Sequence, residues 1–127
     1  MKERFTQNAR EAINLATETA YQLAHNYIGT EHLLIGLTKA NGVAGRILDE
    51  HDVDEEKLTE LVNQLIAPTG GIKIMEKDNF TPRARRILEA SARESLRLKS
   101  EQIGTEHILM ALIKESDCIA VRLLNTL

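Results

Sequence analysis

The chain has 127 residues, of which 28% are charged and 3% aromatic, and its formal net charge is -3. This length favours one domain with a substantial hydrophobic core. The mild negative charge and the few aromatic residues argue against a nucleic-acid interface, which needs a concentrated basic face or stacking rings. The single Cys118 can form no internal disulfide, the charged start "MKERFTQNAREA" has no apolar stretch of signal-peptide length, and no apolar run is long enough to span a membrane. We therefore expect a soluble, cytoplasmic protein without a nucleic-acid or membrane partner.

The first predicted element is an amphipathic helix that runs from Thr6 to about Ala24. Apolar residues recur there at helical spacing, at Ala9, Ala12, Ile13, Ala16, Ala20 and Leu23. Thr6 is a suitable N-cap residue, and so is its counterpart Thr81, which is followed by Pro82, a residue favoured at the first helical position. The small alanine side chains predict that a second helix approaches this face closely.

The second predicted helix begins within "IGTEHLLIGL", at residues 28–37. We expect Gly29 to permit the preceding turn and Thr30 to cap the helix, and we expect the same of Gly104 and Thr105 in the matching stretch at residues 103–112. A short third helix is predicted from about Val43 to Glu50. A fourth helix is predicted to begin at Asp54, where acidic residues favour a helix start.

The same pattern returns in the second half of the chain. "RFTQNAR" at residues 4–10 matches "NFTPRAR" at residues 79–85, and Gly-Thr-Glu-His occurs at residues 29–32 and again at 104–107. Such a constant offset indicates a tandem duplication. We predict an all-α fold in which a four-helix motif is repeated with pseudo-twofold symmetry: repeat 1 at residues 4–67, a linker at 68–79 and repeat 2 at 80–127. The last helix of repeat 2 is absent or truncated at Leu127, so we expect the chain to be a fragment of a longer protein.

The helix starts are candidate anion sites, because a helix N-terminus carries unpaired N–H groups and a partial positive charge. If the first and second helices pack with neighbouring ends, Glu31 or Glu106 lies near the cap of a first helix. A carboxylate beside such an end suits a ligand that joins a guanidinium to a phosphate. A first-turn glutamate can equally well do no more than stabilise its own helix. The residues alone leave both interpretations open.

The remaining polar residues support no catalytic or metal site. His32 and His107 are expected to pack or to form local hydrogen bonds, because no third ligand accompanies them at metal spacing. There is no glycine-rich phosphate loop, so we expect no cofactor in this domain. Adjacent residues on a helix point about 100° apart, which disfavours an enzyme that uses Glu31 and His32 together. Cys118 is expected to be a small core residue.

Several stretches resemble the amino-terminal domain of ClpC-type AAA+ unfoldases: "RFT..AR", "HNYIGTEHLLIGL", "GVAGRIL", "FTPRARRILE" and "IGTEHILMALI". The resemblance covers nearly the whole chain. It implies a double four-helix repeat attached ahead of two ATPase modules. Such domains receive protein substrates and adaptor proteins and pass them to the AAA+ ring for degradation by a partner peptidase. In Gram-positive members they also read phosphoarginine, the mark that labels proteins for destruction.

The resemblance also implies roles for particular residues. The family's guanidinium-binding glutamates match Glu31 and Glu106, and its phosphate-side threonines match Thr6 and Thr81. Candidate contacts to adaptors or peptides are Phe5, Phe80 and Arg83. One departure is Asn8, which stands where the family often has arginine, on the phosphate side of the first site. The alternative is a standalone or adaptor-docking module without phosphoarginine recognition.

Overall fold

The computed structural model of the protein describes residues 4–66 and 79–127. The regular secondary structure of these ranges is helical, with α1 (Gln7–Gln22), α2 (Thr30–Lys39), α3 (Val43–Glu50), α4 (Glu55–Leu65), α5 (Pro82–Arg97), α6 (Thr105–Lys114) and α7 (Ile119–Thr126). Helices α1–α4 belong to repeat 1 and α5–α7 to repeat 2, which confirms the predicted all-α repeat. The predicted linker at residues 68–79 lies outside the described residues, apart from Asn79.

The first helix of each repeat begins at the predicted threonine cap. The hydroxyl of Thr6 accepts a hydrogen bond from the N–H of Ala9 at 3.0 Å, and that of Thr81 accepts one from Ala84 at 3.1 Å. Pro82 occupies the first helical position of α5, where its missing N–H costs nothing. Both caps were predicted correctly from the repeated Phe-Thr pair.

Helix α2 is central to the molecule, since its residues Thr30 to Leu37 are all buried. It packs against the alanine stripe of α1, and Gly36 makes this approach possible. A Cβ at Gly36 would overlap the carbonyl oxygen of Ala12 and would lie 3.0 Å from the nitrogen of Ala16. The predicted close helix contact is therefore a contact between two backbones.

The two repeats are joined through their backbones on both sides of the pseudo-twofold axis. Phe5 pairs with Ile103 and Ile28 pairs with Phe80, each in a short parallel bridge. The N–H of Thr6 donates to the carbonyl of Ile103 at 2.9 Å, and the N–H of Thr81 donates to that of Ile28, also at 2.9 Å. The start of each first helix thus lies beside the Gly-Thr-Glu-His segment of the other repeat.

The predicted role of Thr30 and Thr105 as caps of their own helices is wrong. The N-cap positions of α2 and α6 are Gly29 and Gly104, and each threonine is the first helical residue. The Thr30 hydroxyl accepts from the N–H of Ala120 in α7 at 3.1 Å, and the Thr105 hydroxyl accepts from Ala44 in α3 at 3.2 Å. Each threonine therefore caps the third helix of the other repeat.

Candidate functional site

A cleft of about 530 Å³ lies where the repeats meet. It is lined by Thr6 and Asn8 at the start of α1, by Gly42, Val43 and Arg46 at the start of α3, and by residues 100–102 and 104–107 around the start of α6. We call it the Glu106 cleft. It brings the predicted site residues Thr6 and Glu106 together, although they come from different repeats.

Three helix N-termini converge on the Glu106 cleft, because α1, α3 and α6 all begin at its wall. Each contributes a partial positive charge and N–H groups without an intrahelical partner. The exposed side chain of Arg46 adds a full positive charge. Glu106, which is half-buried, supplies a carboxylate in the same cleft. The cleft therefore offers complementary charges to a ligand that carries both an anion and a cation.

Glycine precedes each glutamate motif for a reason other than the predicted turn. Gly29 and Gly104 have φ values of -102° and -95°, ordinary extended backbone that other residues adopt as well. Oxygen Oε1 of Glu31 or Glu106 instead occupies the place that a Cβ on the preceding glycine would need. The glycine thus allows the carboxylate to fold back over the helix start.

Each histidine of the motif forms a local hydrogen bond, as predicted. The backbone N–H of Gly29 donates to Nδ1 of His32, and that of Gly104 donates to Nδ1 of His107, both at 2.8 Å. The imidazole satisfies the N-cap N–H from the third helical position, where a glutamate or glutamine often serves. Both histidines are buried.

The pseudo-symmetric counterpart of the cleft has a different structure. We use the name Glu31 hollow for residues 27–31 together with the start of α5 at Thr81, where the structure is closed over the carboxylate. The N–H of Thr81 donates to Ile28, which places this helix start next to the motif. Glu31 is 0% exposed, and its Oε2 accepts a hydrogen bond from the Tyr27 hydroxyl at 3.0 Å. Burial raises the pKa of the Glu31 carboxyl and also that of the Tyr27 hydroxyl.

A ring cluster supports this hollow from within. Tyr27 stacks on His25 with ring centroids 5.2 Å apart and planes inclined by 14°. Nδ1 of His25 lies 2.8 Å from Nε2 of His32. Burial lowers the pKa of His32 to about 3, with the neighbouring His25 adding to the effect; burial also lowers the pKa of His25.

The predicted adaptor contacts occupy different environments. Phe5 is only 4% exposed and belongs to the core, so the structure gives it a packing role, and its contact with adaptors or peptides stays a prediction. Phe80 is half-buried and packs against the core. The guanidinium of Arg83 donates to the backbone carbonyl of Asp117 at 2.8 Å, bridging the start of α5 to the loop before α7.

Two features of the site were missed from the sequence. Arg46 lines the Glu106 cleft, and the aligned segments "VAGRIL" and "IAVRLL" both carry arginine at this position, Arg46 and Arg122. That repetition is a signal that could have identified it. The other is the contrast four residues before each glutamate, where repeat 1 has Tyr27 and repeat 2 has Gln102.

Other kinds of site find little support in the described ranges. Residues 4–66 and 79–127 contain no group of three or more histidine, cysteine, aspartate or glutamate side chains that could hold a metal ion. In the same part of the chain, every helix is too short or too polar to cross a lipid bilayer. Cys118 is fully buried at the start of α7, in agreement with its predicted role in the core.

The architecture defines a class: a duplicated helical domain with a polar cleft at helix starts between its two copies. Comparison with known proteins gives the family. Residues 4–127 match the Clp repeat (R) N-terminal domain. The chain belongs to this family, as the resemblance predicted.

The relatives that it resembles are much longer proteins. The chain is 40% identical over 125 residues to the negative regulator of genetic competence ClpC/MecB of Bacillus subtilis (strain 168), covering 98% of this chain and 15% of that protein. The ATP-dependent Clp protease ATP-binding subunit ClpC of Staphylococcus saprophyticus gives the same identity and coverage. The N-terminal domain of the caseinolytic protease associated chaperone ClpD from Arabidopsis thaliana has a similar crystal structure. Its TM-score is 0.81 at 25% identity, over 98% of this chain and 84% of that one.

Proposed function

We propose that this chain is the substrate- and adaptor-recognition domain of a ClpC-like unfoldase and that it reads phosphoarginine on marked proteins. The observation that carries the proposal is the Glu106 cleft, which combines a carboxylate, the cationic Arg46 and three helix N-termini. In phosphoarginine the guanidinium is bonded directly to the phosphoryl group, so a receptor must present opposite charges side by side. The Glu106 carboxylate would receive the guanidinium, while Thr6 and the helix starts would receive the phosphate.

The proposal gives the domain a binding role and no catalytic one. In a parent protein, bound substrates and adaptors would be passed to an AAA+ ring and its partner peptidase. The names of the relatives support this assignment, since the Staphylococcus saprophyticus protein is an ATP-binding subunit of the Clp protease. Glu31 and Thr81 would form the second phosphoarginine site, with the same division of roles.

Isothermal titration of free phosphoarginine tests the proposal at the Glu106 cleft. We expect Glu106→Gln to weaken binding there by about tenfold to a hundredfold, because a hydrogen-bonded charge is lost while the side-chain shape is kept. Phosphoserine should bind poorly to the unchanged protein, because its phosphate gains nothing from Glu106 and is repelled by it.

The matched control is Glu89→Gln, on an exposed position of α5 away from the cleft. It should bind phosphoarginine like the unchanged protein. Equal affinities for phosphoserine and phosphoarginine, or unchanged binding in Glu106→Gln, would contradict phosphoarginine recognition by this cleft.

A further inference from the structure

The two glutamates of the repeated motif differ in what covers them. Glu106 is half-buried and lines an open cleft, whereas Glu31 is completely buried beneath Tyr27. The Tyr27 hydroxyl donates to Oε2 of Glu31 at 3.0 Å. At the corresponding position of repeat 2, Gln102 is exposed. The difference between the two sites therefore originates four residues before each glutamate.

The carboxylate of Glu31 is only half satisfied. Its Oε1 is buried and accepts no well-aligned hydrogen bond from the described residues, while Oε2 accepts from Tyr27 and the backbone N–H of Glu31 itself adds a weaker stabilising interaction with the carboxylate. A buried polar atom without a partner costs free energy, and the cost is largest for a charged group. A guanidinium presents two parallel N–H donors and can satisfy both carboxylate oxygens at once. The unpartnered oxygen therefore indicates that the hollow is suited to such a donor, and that Tyr27 provides an incomplete substitute.

Tyr27 is held in place by a neighbour that repeat 2 lacks. Its ring stacks on His25 at a centroid distance of 5.2 Å. The residue corresponding to His25 in repeat 2 is Ser100, which has no ring. Repeat 2 thus lacks both the tyrosine and the surface on which it is stacked.

We propose that Tyr27 is a gate over Glu31, which a guanidinium ligand must displace before it can bind in the Glu31 hollow. This inference rests on the proposed function and assigns an order to its two sites. The Glu106 cleft is preformed and fills first. The Glu31 hollow fills only at higher ligand concentration, because binding there breaks a hydrogen bond to a charged group, which reduces affinity by about tenfold or more.

Two variants test the gate by giving each repeat the residues that the other repeat has at these positions. Tyr27→Gln gives repeat 1 the residue of repeat 2, and the double variant Ser100→His with Gln102→Tyr transfers the gate and its support to the Glu106 cleft. Nuclear magnetic resonance can follow each site separately during a titration with phosphoarginine, through the backbone N–H signals of Gly29 and Gly104.

In the unchanged protein we expect the Gly104 signal to saturate at a concentration about tenfold lower than the Gly29 signal. Tyr27→Gln should tighten binding at Gly29 about tenfold and leave Gly104 unaffected. The double variant should weaken binding at Gly104, and it decides the question if Tyr27→Gln does not fold. Binding at Gly29 that is unchanged or weaker in folded Tyr27→Gln would overturn the gate and make Tyr27 a contact residue.

Methylguanidinium, which carries no phosphate, separates failure of the gate from failure of the proposed function. If phosphoarginine shifts neither signal, phosphoarginine recognition is wrong, and methylguanidinium still tests the gate. It should shift the Gly29 signal more strongly in Tyr27→Gln than in the unchanged protein. An equal shift in both proteins, or none in either, would overturn the gate.

Discussion

At the scale of single residues, the hydrogen bonds of His32 fix its protonation state. The N–H of Gly29 donates to Nδ1, so this nitrogen carries no proton and the neutral ring has its proton on Nε2. That proton points to Nδ1 of His25, which must accept it. A proton added to either ring would place two donors face to face in the protein interior. Both histidines are therefore held neutral by geometry as well as by burial.

The neutral His32 predicts a loss of stability in acid. Its pKa is about 3 in the folded protein and about 6.5 in an unfolded chain. Below pH 6.5 the unfolded chain takes up a proton that the folded protein does not, so the free energy of unfolding falls as the pH drops from 6.5 towards 3. The slope attributable to His32 is about 1.4 kcal/mol per pH unit. Urea unfolding at several pH values should therefore show the stability gap between the unchanged protein and His32→Asn narrowing below pH 6.5.

The raised pKa of Glu31 acts in the opposite direction and the lowered pKa of His25 in the same direction, but both groups remain in His32→Asn, so the difference between the two proteins reports mainly on His32. A suitable control is Ile35→Val, which removes a buried methyl group without removing a titrating one. Ile35→Val should lower the free energy of unfolding by about 1 kcal/mol at every pH. If the gap for His32→Asn stays constant between pH 7 and 4.5, the structural assignment of a neutral His32 is wrong.

At the scale of helices, the first two helices of repeat 1, α1 and α2, pack together differently from their counterparts α5 and α6 in repeat 2. The stripe of α1 is Ala9, Ala12, Ala16 and Ala20, whereas the matching residues of α5 are Ala84, Ile87, Ser91 and Ser95. The helix opposite α1 carries Gly36, and the helix opposite α5 carries Ala111 at the equivalent position. Small residues on both sides of the first hairpin allow the backbones of α1 and α2 to touch.

Replacing Gly36 by alanine separates helix propensity from helix packing. Propensity alone favours alanine by about 1 kcal/mol. The new Cβ, however, would overlap the Ala12 carbonyl, a backbone group that cannot rotate away, and such overpacking costs about 1–3 kcal/mol or more. We expect a net loss of stability and a lower melting temperature by circular dichroism.

The opposite change, Ala111→Gly in α6, serves as the comparison. Ala111→Gly should also lower the stability of the folded protein, by about 1 kcal/mol, because it lowers helix propensity and removes a buried methyl group. A higher melting temperature in Gly36→Ala would show that the α1–α2 contact is looser than described.

Local sequence rules predicted most helix starts correctly. They failed where the hydrogen-bond partner of a threonine hydroxyl lies far away in the sequence. The caps at Thr6 and Thr81 bind an N–H three residues away, and a pattern of neighbouring residues captures such a contact. Thr30 was predicted to act in the same way, but its hydroxyl binds Ala120, 90 residues further on. The sequence pointed to Glu31 and Glu106 as candidate carboxylates, whereas the tertiary fold is needed to see that Thr6 and Glu106 of different repeats line one cleft.

At the scale of the whole molecule, the repeats share their structural support. Each contributes extended backbone segments to the two isolated bridges with the other and a threonine hydroxyl to a helix start of the other. An isolated repeat would lose these hydrogen bonds, each worth about 0.5–1.5 kcal/mol, and would expose to water the apolar surface that the two repeats bury against each other. The two repeats should therefore unfold together.

The distribution of tyrosines allows a direct test of this cooperativity. Tyr21 and Tyr27 are the only tyrosines, the chain has no tryptophan, and both lie in repeat 1. Tyrosine fluorescence consequently reports on repeat 1, while far-ultraviolet circular dichroism reports on all helices. Urea unfolding curves from the two probes should coincide, as expected for a two-state transition.

A variant in repeat 2 strengthens the test. Thr105→Val removes the hydroxyl that caps α3 of repeat 1. It should lower the free energy of unfolding by about 1–2 kcal/mol. Both probes should shift to the same lower midpoint, although neither tyrosine was changed. Thr126→Val, whose exposed hydroxyl bonds only within its own helix, should leave the midpoint nearly unchanged. Separate midpoints for the two probes would mean that the repeats fold independently.

The crossed pairing of threonine and glutamate also bears on how such a chain could arise. A single-copy ancestor could have formed either recess only as a homodimer, with each subunit lending its threonine to its twin about a twofold axis. In such a dimer every substitution appears twice, so both recesses stay identical. Gene duplication and fusion would remove that constraint, so that a tyrosine could be acquired on one side alone.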